Sequence, residues 1–237
     1  MDASVPNSDR ILPHAAVVVI DSKWMRARRL YWAARRHLVQ REVLSFVHLG
    51  QEYLVSQPPN APFINVSGAN TTDDAIADAI ARQSGLKRCT INARLAAGQR
   101  IVHANAVDGR LLAWGWIALP THPTRLDWEA DLHIEINPGV GYLFGFETMA
   151  SERNRGLYRQ LLDHAVQHCY ADGAKLVSIY CRADNLASQR GICSAGFTAT
   201  LPASVLRLGP WFRVRVRDHS RWGWSRSTVR LAKMLHS

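Results

Sequence analysis

The sequence predicts a mixed α/β (α+β) fold, and three observations carry the prediction. Asp108-Gly109 sits between two apolar runs and marks a tight hairpin. Gly141–Met149, apolar, aromatic and short, reads as a buried strand, and Leu157, Leu161, Leu162, Ala165 and Val166 follow it at helical spacing. Lys175–Cys181 repeats that order, a second buried strand leading to a short helix over Leu186–Ala195 that Gly196 closes.

The elements follow in order. Residues 1–10 are polar and are expected to be disordered. Ile11–Ile20 has the composition of a strand. Lys23–Gln40 places Trp24, Leu30, Tyr31, Ala34 and Leu38 on one side of a helix with arginines around them. Val43–His48 and Glu52–Gln57 read as short strands about a turn at Leu49-Gly50-Gln51. Gln57-Pro-Pro-Asn-Ala-Pro62 then interrupts any regular structure, because successive prolines lack the amide that a helix or central strand needs. This break divides the chain into an N-terminal extension (1–62), a principal domain (63–210) and a basic C-terminal segment (211–237).

In the principal domain, Thr71 or Thr72 with Asp73 and Asp74 starts a helix through Gln83, with acids in its first turn and Gly85 near its end. A second helix covers Cys89–Ala97 and stops at Gly98. Arg100–Val107 and Arg110–Leu119 form the hairpin. Leu132–Ile136 and Val140–Met149 continue the sheet about Asn137-Pro138-Gly139.

Composition narrows the function classes. No run of eighteen apolar residues predicts a membrane span. Ala15–Ile20 is too short for a signal-peptide core, so a cytoplasmic location is the default expectation. Cys89, Cys169, Cys181 and Cys193 lack the paired spacing of a zinc site or disulfide scaffold and are expected as reduced thiols in or near the core. His164 and His168 lie four apart without a third ligand, and no metal is expected. The formal charge of +10 is uneven. Residues 23–41 carry seven basic groups and no acid, and residues 205–237 carry eight against Asp218 alone, which leaves the remainder slightly acidic.

The chemistry concentrates at Arg153-Asn-Arg-Gly-Leu-Tyr158, between the buried strand and its helix. The first amides of a helix have no intrahelical partner, and with the positive end of the macrodipole they form a site for a phosphate group. Gly156 removes a side chain where such a group approaches the backbone.

These residues resemble the GCN5-related N-acetyltransferase (GNAT) superfamily. Its signature is Arg or Gln, two residues, Gly, one residue, then Gly or Ala, at a strand-to-helix junction. Arg153 and Gly156 match, and Tyr158 replaces the final small residue. Asn185, Ser188, Gly196 and Phe197 match the second motif, and the resemblance covers residues 70–205. It implies a mostly antiparallel central sheet flanked by helices, and an N-acyltransferase that moves an acyl group from acetyl-CoA, or another acyl-CoA, to an amine. It also implies that Thr148 and Ala150 contact the pantetheine arm, and that Arg153, Asn154, Arg155, Gly156, Leu157 and Tyr158 surround the pyrophosphate. Asn185 and Ser188 complete the cofactor side.

Glu147, an acid in an otherwise apolar strand near the implied thioester, is the candidate general base, with burial expected to raise its pKa. Pairing with an arginine, or electrostatic binding of the amine, accounts for it equally. The tyrosine that often serves this superfamily as general acid is Ile192 here, and Tyr158 and Tyr180 are the available substitutes. The Trp114-Gly-Trp116 segment reads as core. The expected acceptor is a small-molecule amine or amino sugar, shaped by loops such as 120–130 that the sequence does not specify. An acyl carrier protein as donor, whose acidic surface suits the basic ends, stays open, as do peripheral membrane contact and a catalytically degenerate member of the fold acting as a basic nucleic-acid, membrane-surface or interaction module. A specific nucleic-acid partner is not expected, since basic segments of this kind bind polyanions without selectivity.

Overall fold

The computed structural model describes residues 38–48, 63–68, 74–127, 133–208, 211–216, 219–224 and 228–229. All belong to Leu38–Ser237, one of two units into which the chain divides. In order they form β1 (Leu38–His48), β2 (Phe63–Ser67), α1 (Asp74–Ser84), α2 (Arg88–Ala96), β3 (Arg100–Asn105), β4 (Leu111–Ala118), β5 (Thr124–Asp127) and β6 (His133–Ile136). Then come β7 (Val140–Thr148), a 3-10 turn (Ala150–Glu152), α3 (Leu157–Ala171), β8 (Leu176–Arg182), α4 (Leu186–Ser194), β9 (Thr198–Leu208), β10 (Trp211–Val216), β11 (His219–Trp224) and β12 (Thr228–Val229).

Nine strands make one sheet in the order β11-β10-β9-β1-β8-β7-β4-β3-β2, antiparallel at every pairing except β7 with β8. The mixed, mostly antiparallel sheet flanked by helices is the predicted fold class. α3 exists because Leu157, Leu161, Leu162, Ala165, Val166 and Cys169 fall on one face, and all six are buried against Val102, Ala113, Ile117, Leu143, Val177 and Ile179 of the sheet. Each large side chain so buried contributes about 1.5–3 kcal/mol. The helix ends where the Ala174 N–H turns back to the Cys169 carbonyl, 2.9 Å away, around Gly173 at φ 88°. α1 and α2 pack with Ile101, Leu111, Trp114 and Trp116, so β4 is buried along its whole length and both tryptophans are core. None of the described helices is long and apolar enough to cross a membrane.

Several expectations need correction. Residues 38–40, read as the end of a helix, are strand: Leu38–Gln40 pair with Leu208–Leu206 of β9. Long-range pairing overrides the local helical spacing there. β1 lies before the proline-rich break and was grouped with an N-terminal extension, yet it is hydrogen-bonded between β8 and β9 in the middle of the sheet. β10 and β11, from the basic C-terminal segment, extend the same sheet. β6 does not continue the central sheet. It pairs with β5 and β12 in a small second sheet, so Asn137-Pro138-Gly139 leads from one sheet to the other. Cys89 and Cys193 are exposed rather than packed in the core. The expected strands Ile11–Ile20 and Glu52–Gln57, and nearly all of the helix Lys23–Gln40, lie outside the described residues.

Candidate functional site

The parallel pair β7–β8 is short. It runs from Val140 opposite Leu176 to Leu143 opposite Ile179 and then ends. Beyond it β7 follows β4, with Glu147 and Thr148 opposite Trp114 and Ala113, while β8 follows β1 as far as Arg182 opposite Val43. The two strands therefore part at their C-terminal ends, leaving main-chain groups of β7 without a sheet partner on that side among the described residues. Such groups call for another hydrogen-bonding partner.

A bulge in β7 shapes this edge. Phe144 pairs with Trp116 and Glu147 with Trp114, so Gly145 and Phe146 together oppose Gly115. Gly145 takes φ 61°, and Gly115 has no room for a side chain, because a Cβ there would meet the Phe146 ring at 2.5 Å. The strand changes character at this point. Gly141–Leu143 are buried, whereas Gly145 and Glu147 are exposed, so the strand read as buried throughout is open in its second half.

The chain then makes the 3-10 turn and a loop in which Asn154 (φ 62°) and Gly156 (φ 78°) are both left-handed. Gly156 caps α3. The first hydrogen bond of the helix runs from the Gln160 N–H to the Gly156 carbonyl, 3.1 Å, and among the described residues no protein acceptor takes the N–H of Gly156, Leu157, Tyr158 or Arg159. The atom nearest to a notional Cβ on Gly156 is the Gln160 Nε2, 3.8 Å away, so the approach to this backbone is open.

These elements surround a cleft of about 600 Å³. Of the residues singled out from the sequence, Glu147, Thr148, Arg153, Asn154, Gly156, Leu157, Tyr158, Asn185 and Ser188 line it. Ala150 and Arg155 do not. Ala150 opens the 3-10 turn, and the Arg155 guanidinium is turned onto the Glu152 carboxylate at 2.5 Å. Partial burial pushes the Glu147 pKa above the ordinary carboxylate value, and the Arg153 charge opposes that rise. The Thr148 Oγ1 is buried with no hydrogen-bond partner among the described residues, and the Thr148 carbonyl accepts from the Arg153 Nε–H at 3.4 Å.

The opposite wall is α4. The Asn185 Oδ1 caps that helix by accepting the Ser188 N–H at 3.1 Å, and the Ser188 Oγ lies 2.8 Å from the Tyr158 hydroxyl. Both side chains thus have partners within the protein as well as a place at the cleft. The Tyr158 ring lies against Gly191, where a Cβ would meet its Cδ1 at 2.5 Å, and meets Phe146 edge-on with ring centroids 6.1 Å apart. Burial raises the phenol pKa to about 12, against the lowering effect of the Ser188 hydrogen bond. Ile192 is fully buried in the core and does not line the cleft. Tyr180 packs with Tyr142 on the other face of the sheet, so of the two substitutes only Tyr158 reaches the site.

Sequence reasoning missed Phe146, Glu152, Arg159, Ala187, Gly191 and Ser194 on the cleft wall. Gly191 alone had a local signal, an isolated glycine inside a helical pattern. Cys181 is buried with its thiol pushed up to about 11, which leaves it protonated at neutral pH and a poor nucleophile. His168, one of the spaced pair on α3, lies beside Arg100 and Asp172 on a different part of the surface.

The comparisons with known proteins agree with this architecture. Among the solved structures that share the fold are a GNAT-family protein from Novosphingobium aromaticivorans (TM-score 0.52, 16% identity, 73% of this chain and 66% of that one) and a Drosophila protein (TM-score 0.50, 16% identity, 78% and 57%). This chain thus spans just under two thirds of the length of the first and over half of the second, and at such identity the likeness is one of fold. No curated protein matches the sequence. The model of the acetyltransferase (GNAT) family matches residues 77–197, just over half of the chain and the segment that builds the cleft, and the chain belongs to that family.

Proposed function

We propose that this chain is an acyl-CoA-dependent N-acyltransferase, with acetyl-CoA as donor and the amine of a small molecule as acceptor. The observation that carries the reading is the row of four unpartnered amides, Gly156 to Arg159, at the positive end of a fifteen-residue helix and beside the gap between β7 and β8. Several converging N–H donors bind a diphosphate strongly, since each hydrogen bond to a charged group is worth about 1.5–3 kcal/mol.

The residues present fit such a donor. The amides of Asn154 through Arg159 and the Arg153 side chain would hold the diphosphate. Thr148 brings a buried, unpartnered hydroxyl to the wall along which the pantetheine arm would run, with Ala150 next along the chain. Acyl-CoA supplies the acyl group in activated form, as a thioester. Glu147, exposed on the open half of β7, takes the proton from an incoming ammonium, and its raised pKa brings it closer to that task than an ordinary glutamate. Tyr158 stays a neutral phenol at neutral pH and offers a hydrogen-bond donor to the cleft.

Two measurements test the reading. Calorimetric titration of coenzyme A and acetyl-CoA should give saturable binding, and thiol release from acetyl-CoA should depend on added amine. Absence of binding for acetyl-, propionyl- and longer acyl-CoA alike sinks it. If a thioester on an acyl carrier protein is used while the same acyl group on coenzyme A is ignored, the donor is the carrier.

A further inference from the structure

One charged group at the cleft plays no part in the mechanism above. Glu152 carries a carboxylate only 7% exposed, and it is held from two directions. Its Oε1 accepts from the Arg110 guanidinium at 3.2 Å and from the Ser151 hydroxyl at 3.4 Å, and its Oε2 accepts from Arg155 at 2.5 Å. Arg110 belongs to the hairpin between β3 and β4 and is itself fixed: its carbonyl accepts from the Ala106 N–H at 2.9 Å, and its own N–H donates to Asp108 at 3.0 Å. Arg155 stands between the two left-handed residues Asn154 and Gly156. The carboxylate therefore joins the hairpin to the middle of a loop whose backbone turns left-handed twice, at a steric cost only at Asn154.

We propose that Glu152 is a positioning residue for the anion site: it ties the 153–156 loop to the β3–β4 hairpin through Arg110 and so holds the amides at the start of α3 in a converging arrangement. Arg155 is turned toward this tie rather than into the cleft. The natural alternative is that Glu152 acts only through its charge. A carboxylate beside an anion site weakens anion binding, so its removal then tightens binding. Positioning predicts the reverse sign.

Glu152→Gln keeps the shape and removes the charge, which makes the sign decisive. Hydrogen exchange of the unliganded protein should show faster exchange at the bonded amides that flank the loop, residue 152 and Gln160 with the first turn of α3, in this variant than in the wild type. Calorimetry with coenzyme A should show binding weakened about tenfold. Arg110→Met, at a residue that does not line the cleft, should reproduce both effects more weakly, and the double variant should be no worse than Glu152→Gln alone, as expected of residues acting through one another. Exchange unchanged at these flanking amides, or coenzyme A bound as tightly or more tightly by Glu152→Gln, overturns the inference. The ligand arm rests on the acyl-CoA reading. If the wild type ignores coenzyme A that reading fails, while the exchange arm still decides whether Glu152 orders the loop.

Discussion

At the scale of single residues, Glu147 is where sequence and structure meet most directly. The sequence shows one acid in an apolar strand; the structure places it past the Gly145–Phe146 bulge, on the part of β7 that faces the cleft. Burial raises its pKa and Arg153 holds the rise back. The active form of a base is the deprotonated one. A raised pKa therefore moves the acidic limb of the rate profile to higher pH, and activity falls as pH drops through that value. Glu147→Gln should lower kcat/KM on the order of 10²–10⁴-fold and abolish the limb. Arg153→Gln removes the opposing charge and should shift the limb in kcat further up. If Glu147 served only to attract a cationic acceptor, Glu147→Gln would raise the KM for the amine and leave kcat unchanged.

At the scale of elements, the cleft depends on two glycines that tolerate almost no substitution, for different reasons. Gly145 is left-handed, and a Cβ there would lie 3.1 Å from the Cδ1 of Trp116, a fully buried indole with nowhere to move. Gly145→Ala should cost about 1–3 kcal/mol, visible as a lowered urea midpoint at unchanged slope. Gly191 lies inside α4, where Ala would ordinarily gain up to about 1 kcal/mol of helix stability. Here the new methyl meets a Tyr158 ring pinned by Ser188 and Phe146, and overpacking of about 1–3 kcal/mol should win. The sign should reverse in a Tyr158→Ala background, where the ring is gone and the propensity gain remains. The hairpin at Asp108-Gly109 and the apolar stripe of α3 were legible because local chemistry decides them. The exchange of bulk between positions 158 and 191 was not, since the two residues lie 33 apart and meet only when α4 docks on α3. Likewise Glu152 and Arg110 carry no signal in the sequence and Arg155 reads there as a pyrophosphate contact, and only the fold makes the three a cluster.

At the scale of the whole molecule, the sheet is built from parts that local signals assign elsewhere. The break at Gln57–Pro62 is a true interruption of secondary structure and invites a domain boundary, yet β1 precedes it and lies at the centre of the sheet. Register explains why: β1 pairs with β8 from Val43 to His48 and with β9 from Leu38 to Val47, and it buries Val43 and Phe46 completely or nearly so. Neither partner follows it within a hundred residues, so no window of sequence reveals the pairing. A chain beginning at Phe63 would lack β1, leave β8 and β9 with two unpaired edges in mid-sheet, and separate β9–β11 from the cleft-bearing strands. Unpaired central edges aggregate. Such a chain should show no cooperative thermal transition and elute as aggregate on size exclusion, whereas one beginning at Leu38 should unfold cooperatively. A monomeric, cooperatively melting chain from Phe63 that still bound coenzyme A would show that the cleft needs only β2–β8, and that β1 joins an already formed domain.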